Sequence, residues 1–294
     1  MSPLLSGFER APQAMTENTT SAARDLVELS ITDSIAVLRL HQPERLNPLG
    51  IPMQTQLRET LAELSRHPQV AVLIITGSGK AFCVGADLTT IDANDSKQSL
   101  GQQVSEVMLS LSNKLIEDIR SLPFPVVSAV NGACAGAGVS VALAADIVVA
   151  ARSAYFFLSF MPRLGIIPDL GATWFLERIL GRPRAMGLTL LGDRLSAEQA
   201  QSWGLIWSCV DDESLMTEAM GVAQKLAKLP AHAAPDMRRA LDSAAANDLL
   251  KQMDYEARRQ ADLIDKPEFA EGLKAFLEKR EPSFPTRSGE KKIQ

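Results

Sequence analysis

What this 294-residue chain lacks narrows its chemistry before any motif is considered. It has three cysteines, Cys83, Cys134 and Cys209, an odd and scattered set with no CxxC spacing and no Cys/His cluster. Neither a metal site nor a disulfide framework is expected, and a reduced, cytoplasmic setting fits best. No apolar run approaches the ~20 residues of a membrane span, so no membrane partner is expected. The net charge of −5 supplies no global basic field, which argues against nucleic acid. The first 24 residues are rich in Ser, Thr, Ala and Pro and have no apolar signal-peptide core. They are expected to form a disordered extension; their few arginines make a transit peptide the weaker alternative. Gly77-Ser78-Gly79-Lys80 fails the spacing of a phosphate-binding P-loop.

What remains is an ordinary globular composition, 46% hydrophobic and 22% charged. Residues 26–31 and 35–40 alternate like half-buried strands around the turn Thr32-Asp33-Ser34, so a hairpin opens the fold. A helical pattern over 51–66 precedes Val70-Ala71-Val72-Leu73-Ile74-Ile75-Thr76, apolar almost throughout, as in a strand covered on both faces. A long helix is expected near 104–120, then buried strands at 124–130 and 146–151. Alternation of strand and helix argues an α/β fold with parallel pairing. Short helices fit 172–180, 182–190 and 197–203, the last opened by the capping-box pattern Ser196-Ala197-Glu198-Gln199. Only helical patterns follow. We therefore expect an α/β core over 25–210 and a helical region over 211–294.

Residues 129–138, Ala-Val-Asn-Gly-Ala-Cys-Ala-Gly-Ala-Gly, join a strand to a helix with almost no side chain in the way. Such a junction admits another backbone or a ligand closely, and it leaves the first helical N–H groups free at the positive end of the helix dipole. That equipment suits a negative oxygen: phosphate, carboxylate or enolate. A second glycine-rich junction, residues 77–88, lies about fifty residues earlier.

With the loop Pro43-Glu44-Arg45-Leu46-Asn47, these two junctions resemble the enoyl-CoA hydratase/isomerase (crotonase) superfamily. Phe82-Cys83-Val84-Gly85-Ala86-Asp87-Leu88 is similar to its first oxyanion segment and residues 129–138 to its second. Gly165-Ile166-Ile167-Pro168-Asp169-Leu170-Gly171, Ser196-Ala197-Glu198-Gln199-Ala200 and the stretch from Phe269 to Arg280 also match, in order. The resemblance spans roughly residues 26–284. It implies a spiral of ββα units with a helical C-terminal trimerisation region, an acyl-CoA thioester substrate, no cofactor beyond the CoA that the substrate carries, and a homotrimer or dimer of trimers. It also implies that the N–H groups of Ala86 and Ala137 stabilise a thioester enolate. CoA and substrate contacts are implied for Arg45, Ala81, Gly85, Gly136 and Gly138, and for Phe276 and Lys279 of a tail that reaches a neighbouring subunit.

The departures from that family decide the chemistry. Its hydratases use two glutamates to handle water; here those positions fall at Ser140 and Met161. Methionine cannot move a proton, and an unassisted serine is a poor base at neutral pH. Asp169 stands where some isomerases of the family carry a single catalytic aspartate, as in the epoxyphenylacetyl-CoA and Δ3,Δ2-enoyl-CoA types. One base suffices to take a proton from one carbon and return it at another. Burial among Phe160, Met161, Leu164, Ile167 and Leu170 is expected to raise its pKa. The resemblance thus implies an acyl-CoA isomerase of fatty-acid or aromatic-acid breakdown. The alternatives are a hydratase with atypical acid/base groups and a non-catalytic acyl-CoA-binding protein. Plainer readings stand beside these. Asp169 and Asp87 each fit a helix cap or loop brace, and Gly138-Val139-Ser140-Val141-Ala142 lacks the final glycine of a hydrolase nucleophile elbow.

Overall fold

The computed structural model of the chain describes residues 25–87, 98–285 and 287; the expected N-terminal extension lies outside them. The opening hairpin forms as the alternation requires, β1 (Val27–Thr32) antiparallel to β2 (Ile35–Leu40). Beyond it pairing is parallel, through β3 (Val72–Gly77), β5 (Val126–Val130), β7 (Ile147–Ala151) and β10 (Ser208–Val210), in the order β1-β2-β3-β5-β7-β10. Every residue of β3 and β5 is buried. That accounts for their unbroken apolar runs, since a central parallel strand has no face to give to water.

A second, smaller sheet was not foreseen. β4 (Ala81–Cys83), β6 (Ala133–Ala135), β8 (Tyr155–Phe157) and β9 (Arg194–Ser196) pair in the order β4-β6-β8-β9. Both glycine-rich junctions therefore contain a three-residue strand rather than a simple turn. β4 and β6 lie parallel with Cys83 opposite Cys134. Each cysteine precedes by three residues the alanine whose N–H the resemblance singles out, so the pairing brings the two junctions level.

Helices fill the connections. α1 (Ile51–Arg66) buries Met53, Leu57, Leu61 and Leu64, the apolar stripe of its pattern. The expected helix near 104–120 begins earlier, at α2 (Leu100–Val107), under a complete Ser99/Gln102 capping box. It passes through a π-helical turn (Met108–Ser112) into α3 (Asn113–Ser121). α4 (Ala137–Leu143) is buried along its whole length, which its small residues permit. The expected pair of helices over 172–190 is α5 (Ala172–Leu191), broken at Gly181, whose φ of 72° is not helical. α6 (Ala197–Trp203) starts on Ser196, whose side chain accepts from the Gln199 N–H, the serine half of the box.

Of the C-terminal helices, α7 (Leu215–Leu226) packs on β3, β5 and β7 and belongs to the core. α8 (Ala233–Ala244), α9 (Leu249–Ile264) and α10 (Pro267–Glu278) follow. Arg238 of α8 ties them to the sheet: it pairs bidentately with Asp146 (2.7 and 2.5 Å) and donates to the carbonyls of Arg120 (2.9 Å), Leu122 (2.6 Å) and Phe124 (3.0 Å). All five guanidinium N–H groups are used, a geometry lysine does not have.

Candidate active site

The two junctions meet. Gly85 (φ 88°) and Gly136 (φ 53°) both adopt the left-handed region, where a side chain is strained. A Cβ on Gly85 would stand 2.9 Å from the Ala135 carbonyl oxygen and 3.0 Å from the Ala137 nitrogen. Gly138 is needed for proximity alone, since a Cβ there would reach 2.3 Å from the Cys83 oxygen. Among the described residues, neither the Ala86 nor the Ala137 N–H donates to a protein acceptor. Ala137 is the first residue of α4, where no intrahelical partner exists.

Both alanines line one cavity of about 240 Å³, with Asp169 in the same wall. Its remaining lining is mostly apolar: Leu49 just before α1 and Ile51 at its start, Leu100, Val104 and Val107 along α2, Met108 in the π-helical turn that follows, and Leu170. The spacing of the α2 residues puts them on adjacent turns of one stripe.

Asp169 is not a helix cap. Gly171 (φ 81°) occupies the cap of α5 without a side-chain bond, and it is the Asp169 backbone carbonyl that accepts from Ala172 (2.9 Å). The same carbonyl accepts from the hydroxyl of Ser140 (3.0 Å), which is fully buried in α4. Ser140 thus pins the backbone of Asp169. The carboxylate oxygen Oδ1 is buried with no hydrogen-bond partner, and desolvation pushes the pKa up to about 6. The surroundings expected to cause that burial are only partly right. Phe160 and Leu170 are buried, but Met161 is 37% exposed, Ile167 71% and Leu164 also exposed. Met161 lies in a π-helical turn (Phe160–Leu164) and does not line the cavity. Of that apolar set, only Leu170 shares the cavity wall with the acid.

Asp87 braces a loop, as its plainer reading had it: its Oδ1 accepts from Arg45 at 2.7 Å, which raises the pKa of the arginine. Asp87 lines the cavity and Arg45 stands behind it, so a CoA contact by Arg45 would share this ion pair. Ala81 is fully buried in β4, and its carbonyl accepts from Asn47 (2.8 Å) and Asn131 (3.2 Å). These asparagines, which the sequence did not single out as braces, lock the first junction in place: Asn47 also bonds Ser78 and Asn131 the Gly77 N–H. Phe276, 80% exposed, and Lys279 lie at the end of α10, outside their own chain's cavity. Cys83 and Cys134 are buried, and burial pushes the Cys83 thiol up to about 12, so it is inert at neutral pH.

A family model described as enoyl-CoA hydratase/isomerase matches residues 30–287. The chain belongs to the enoyl-CoA hydratase/isomerase family. It is 43% identical over 256 residues to the 1,2-epoxyphenylacetyl-CoA isomerase of Escherichia coli (strain K12), covering 86% of this chain and 96% of that protein. It is 39% identical over 261 residues to a Rhodobacter capsulatus protein named "Probable enoyl-CoA hydratase", covering 89% and 98%. Among solved structures, an enoyl-CoA hydratase from Bacillus anthracis superposes with a TM-score of 0.80 at 31% identity, covering 88% of this chain and 98% of that one. The crotonase fold of this family member is thus the one its sequence resembles. Among its described residues no helix is long and apolar enough to cross a membrane, and no His/Cys/Asp/Glu cluster is fit to hold a metal.

Proposed function

We propose that this family member is an acyl-CoA isomerase in which Asp169 is the proton shuttle. The observation that carries the reading is the placement of one desolvated carboxylate in the same cavity wall as two free backbone N–H groups. The thioester oxygen sits between the Ala86 and Ala137 N–H groups. Asp169 takes a proton from the carbon next to the thioester, the negative charge moves onto the oxygen, and the proton returns two carbons further on as the double bond shifts. Fixed donors aimed at developing charge are worth about 3–4 kcal/mol each in such a transition state. A pKa near 6 keeps Asp169 ionised at neutral pH yet basic enough to matter. Hydration is disfavoured because Ser140 is committed to a carbonyl and Met161 is off the cavity. The relative named an epoxyphenylacetyl-CoA isomerase supports the isomerase side.

Asp169→Asn tests this. It is expected to bind an acyl-CoA normally and to lose about 10²–10⁴ in kcat, the usual worth of a general base. A variant with wild-type kcat would remove Asp169 from the mechanism. We propose further that the chain works as a homotrimer or a pair of trimers, with Phe276 and Lys279 of one subunit meeting the CoA of the next. The exposed Leu273, Phe276 and Leu277 on α10 support an interface there.

A further inference from the structure

Ser140 has no step of its own in the chemistry above, yet it holds the residue on which that chemistry depends. It is fully buried in α4, and its hydroxyl donates at 3.0 Å to the Asp169 carbonyl, 29 residues along the chain. A helical serine can instead return its proton to a carbonyl of its own helix, as Ser110 does to Glu106 at 2.6 Å. The fold does not need the bond. The Asp169 carbonyl also accepts from the Ala172 N–H at 2.9 Å, so alanine at 140 would strand no acceptor, and alanine is the better helix former.

What the bond does is set where Asp169 stands. Among the described residues no other side chain bonds the carboxylate, and Oδ1 is buried without any partner. The position of the acid is therefore fixed through its backbone. That backbone enters a tight turn in which Leu170 (φ 50°) and Gly171 (φ 81°) are both left-handed. A leucine in that region is strained and stays there only because its surroundings hold it. The other end of the bond is α4, whose first residue is Ala137. Helical side chains lean toward the helix N-terminus, so the Ser140 hydroxyl lies over the turn that Ala137 opens. One hydrogen bond thus joins the segment carrying the carboxylate to the helix carrying an N–H of the same cavity.

We propose that Ser140 is a positioning residue: by fastening the Asp169 carbonyl to α4, it fixes the separation between the Asp169 carboxylate and the Ala137 N–H. Ser140 does not line the cavity, so it acts through Asp169 and not on the substrate. The separation matters because the carboxylate must reach a carbon while the thioester oxygen stays on its donors. A misplacement of about 1 Å can cost about 10²-fold in rate. The inference rests on the isomerase reading of the site.

The test is a double-mutant cycle on the isomerisation of a 3-enoyl-CoA, with wild type, Ser140→Ala, Asp169→Asn and the double variant. Ser140→Ala is expected to lose about 10- to 100-fold in kcat while KM stays within about twofold. In the Asp169→Asn background the same substitution is expected to cost nothing further, because no carboxylate remains to be misplaced. A merely structural role would lower kcat by the same factor in both backgrounds. Either that additive loss or a wild-type kcat in Ser140→Ala would overturn the proposal. Where Ser140→Ala is too unstable to assay, Ser140→Cys fills nearly the same space with a weak donor and is expected to give the same pattern. An impaired Asp169→Asn beside an unimpaired Ser140→Ala would remove this proposal alone, whereas an unimpaired Asp169→Asn would remove the isomerase reading itself.

Discussion

An ionised carboxylate held away from water costs the fold stability, and Asp169 makes that cost measurable. Its folded pKa of about 6 lies above the ordinary value of 3.8. Between those two pH values the native state binds more protons than the unfolded chain, so stability falls as pH rises through the window and stays lower above it. Asp169→Asn removes the ionisation. The variant is expected to be more stable than wild type at pH 7, by about 1–3 kcal/mol, with most of the difference gone at pH 4 and the rest lost below the ordinary carboxyl pKa. Melting curves of the two proteins at both pH values check this; an equal or lower Tm for the variant at pH 7 would contradict the burial argument. With Asp169 as the proposed base, kcat/KM of the wild type is expected to drop below about pH 6 as that group is protonated.

At the scale of elements, the two junctions depend on where β4, β6 and α4 begin. If the Ala137 N–H is an oxyanion donor, its side chain hardly matters and its hydrogen does. Ala137→Gly is expected to change little. Ala137→Pro deletes the donor at the first helical position, where proline is tolerated. A loss of about 10²–10³ in kcat with normal circular dichroism is expected; a folded variant with normal turnover would give the junction another role. The α8 attachment makes a separate prediction. Arg238→Ala strands three carbonyls and Asp146, and about 3–5 kcal/mol of stability should go with it in urea unfolding. Arg238→Lys should rescue little of it, for want of the fork.

These elements also show what the sequence made legible. The helical period of α1 and the unbroken apolar run of β3 were plain, and Asp169 was singled out by resemblance, through Gly165 and Pro168. β4, β6 and β9 were not, because three residues hold no period. The early start of α2 went unremarked, since its Ser99/Gln102 box opens onto a first turn with Gly101, Gln102 and Gln103 rather than an apolar run. The Ser140 hydroxyl bond to the Asp169 carbonyl depends on which way one side chain turns, and residue type alone does not say. The exposure of Met161 and Ile167 corrected an inference that treated every apolar neighbour in the chain as a neighbour in space.

At the scale of the whole molecule, the apolar surface is too large to leave wet. Trp207 is 69% exposed, and Leu249, Leu250, Phe276 and Leu277 more so. Contiguous patches of such residues mark interfaces, and closed symmetric assembly is the common way to cover them. Light scattering of the full chain is expected to give a trimer or a multiple of it, and Phe276→Ser with Leu277→Ser to shift the population toward smaller species. A monomeric wild-type protein would contradict the assembly.

The central claim is that one aspartate moves a proton between carbons and that water is not added. The direct measurement is proton NMR of a 3-enoyl-CoA incubated with the wild-type protein and with Asp169→Asn, following every product in one spectrum. The account predicts conversion to the 2-enoyl-CoA by wild type, about 10²–10⁴ slower in the variant, with no accumulation of the 3-hydroxyacyl ester. A 3-hydroxyacyl-CoA as the main wild-type product, or equal rates for the two proteins, would contradict it.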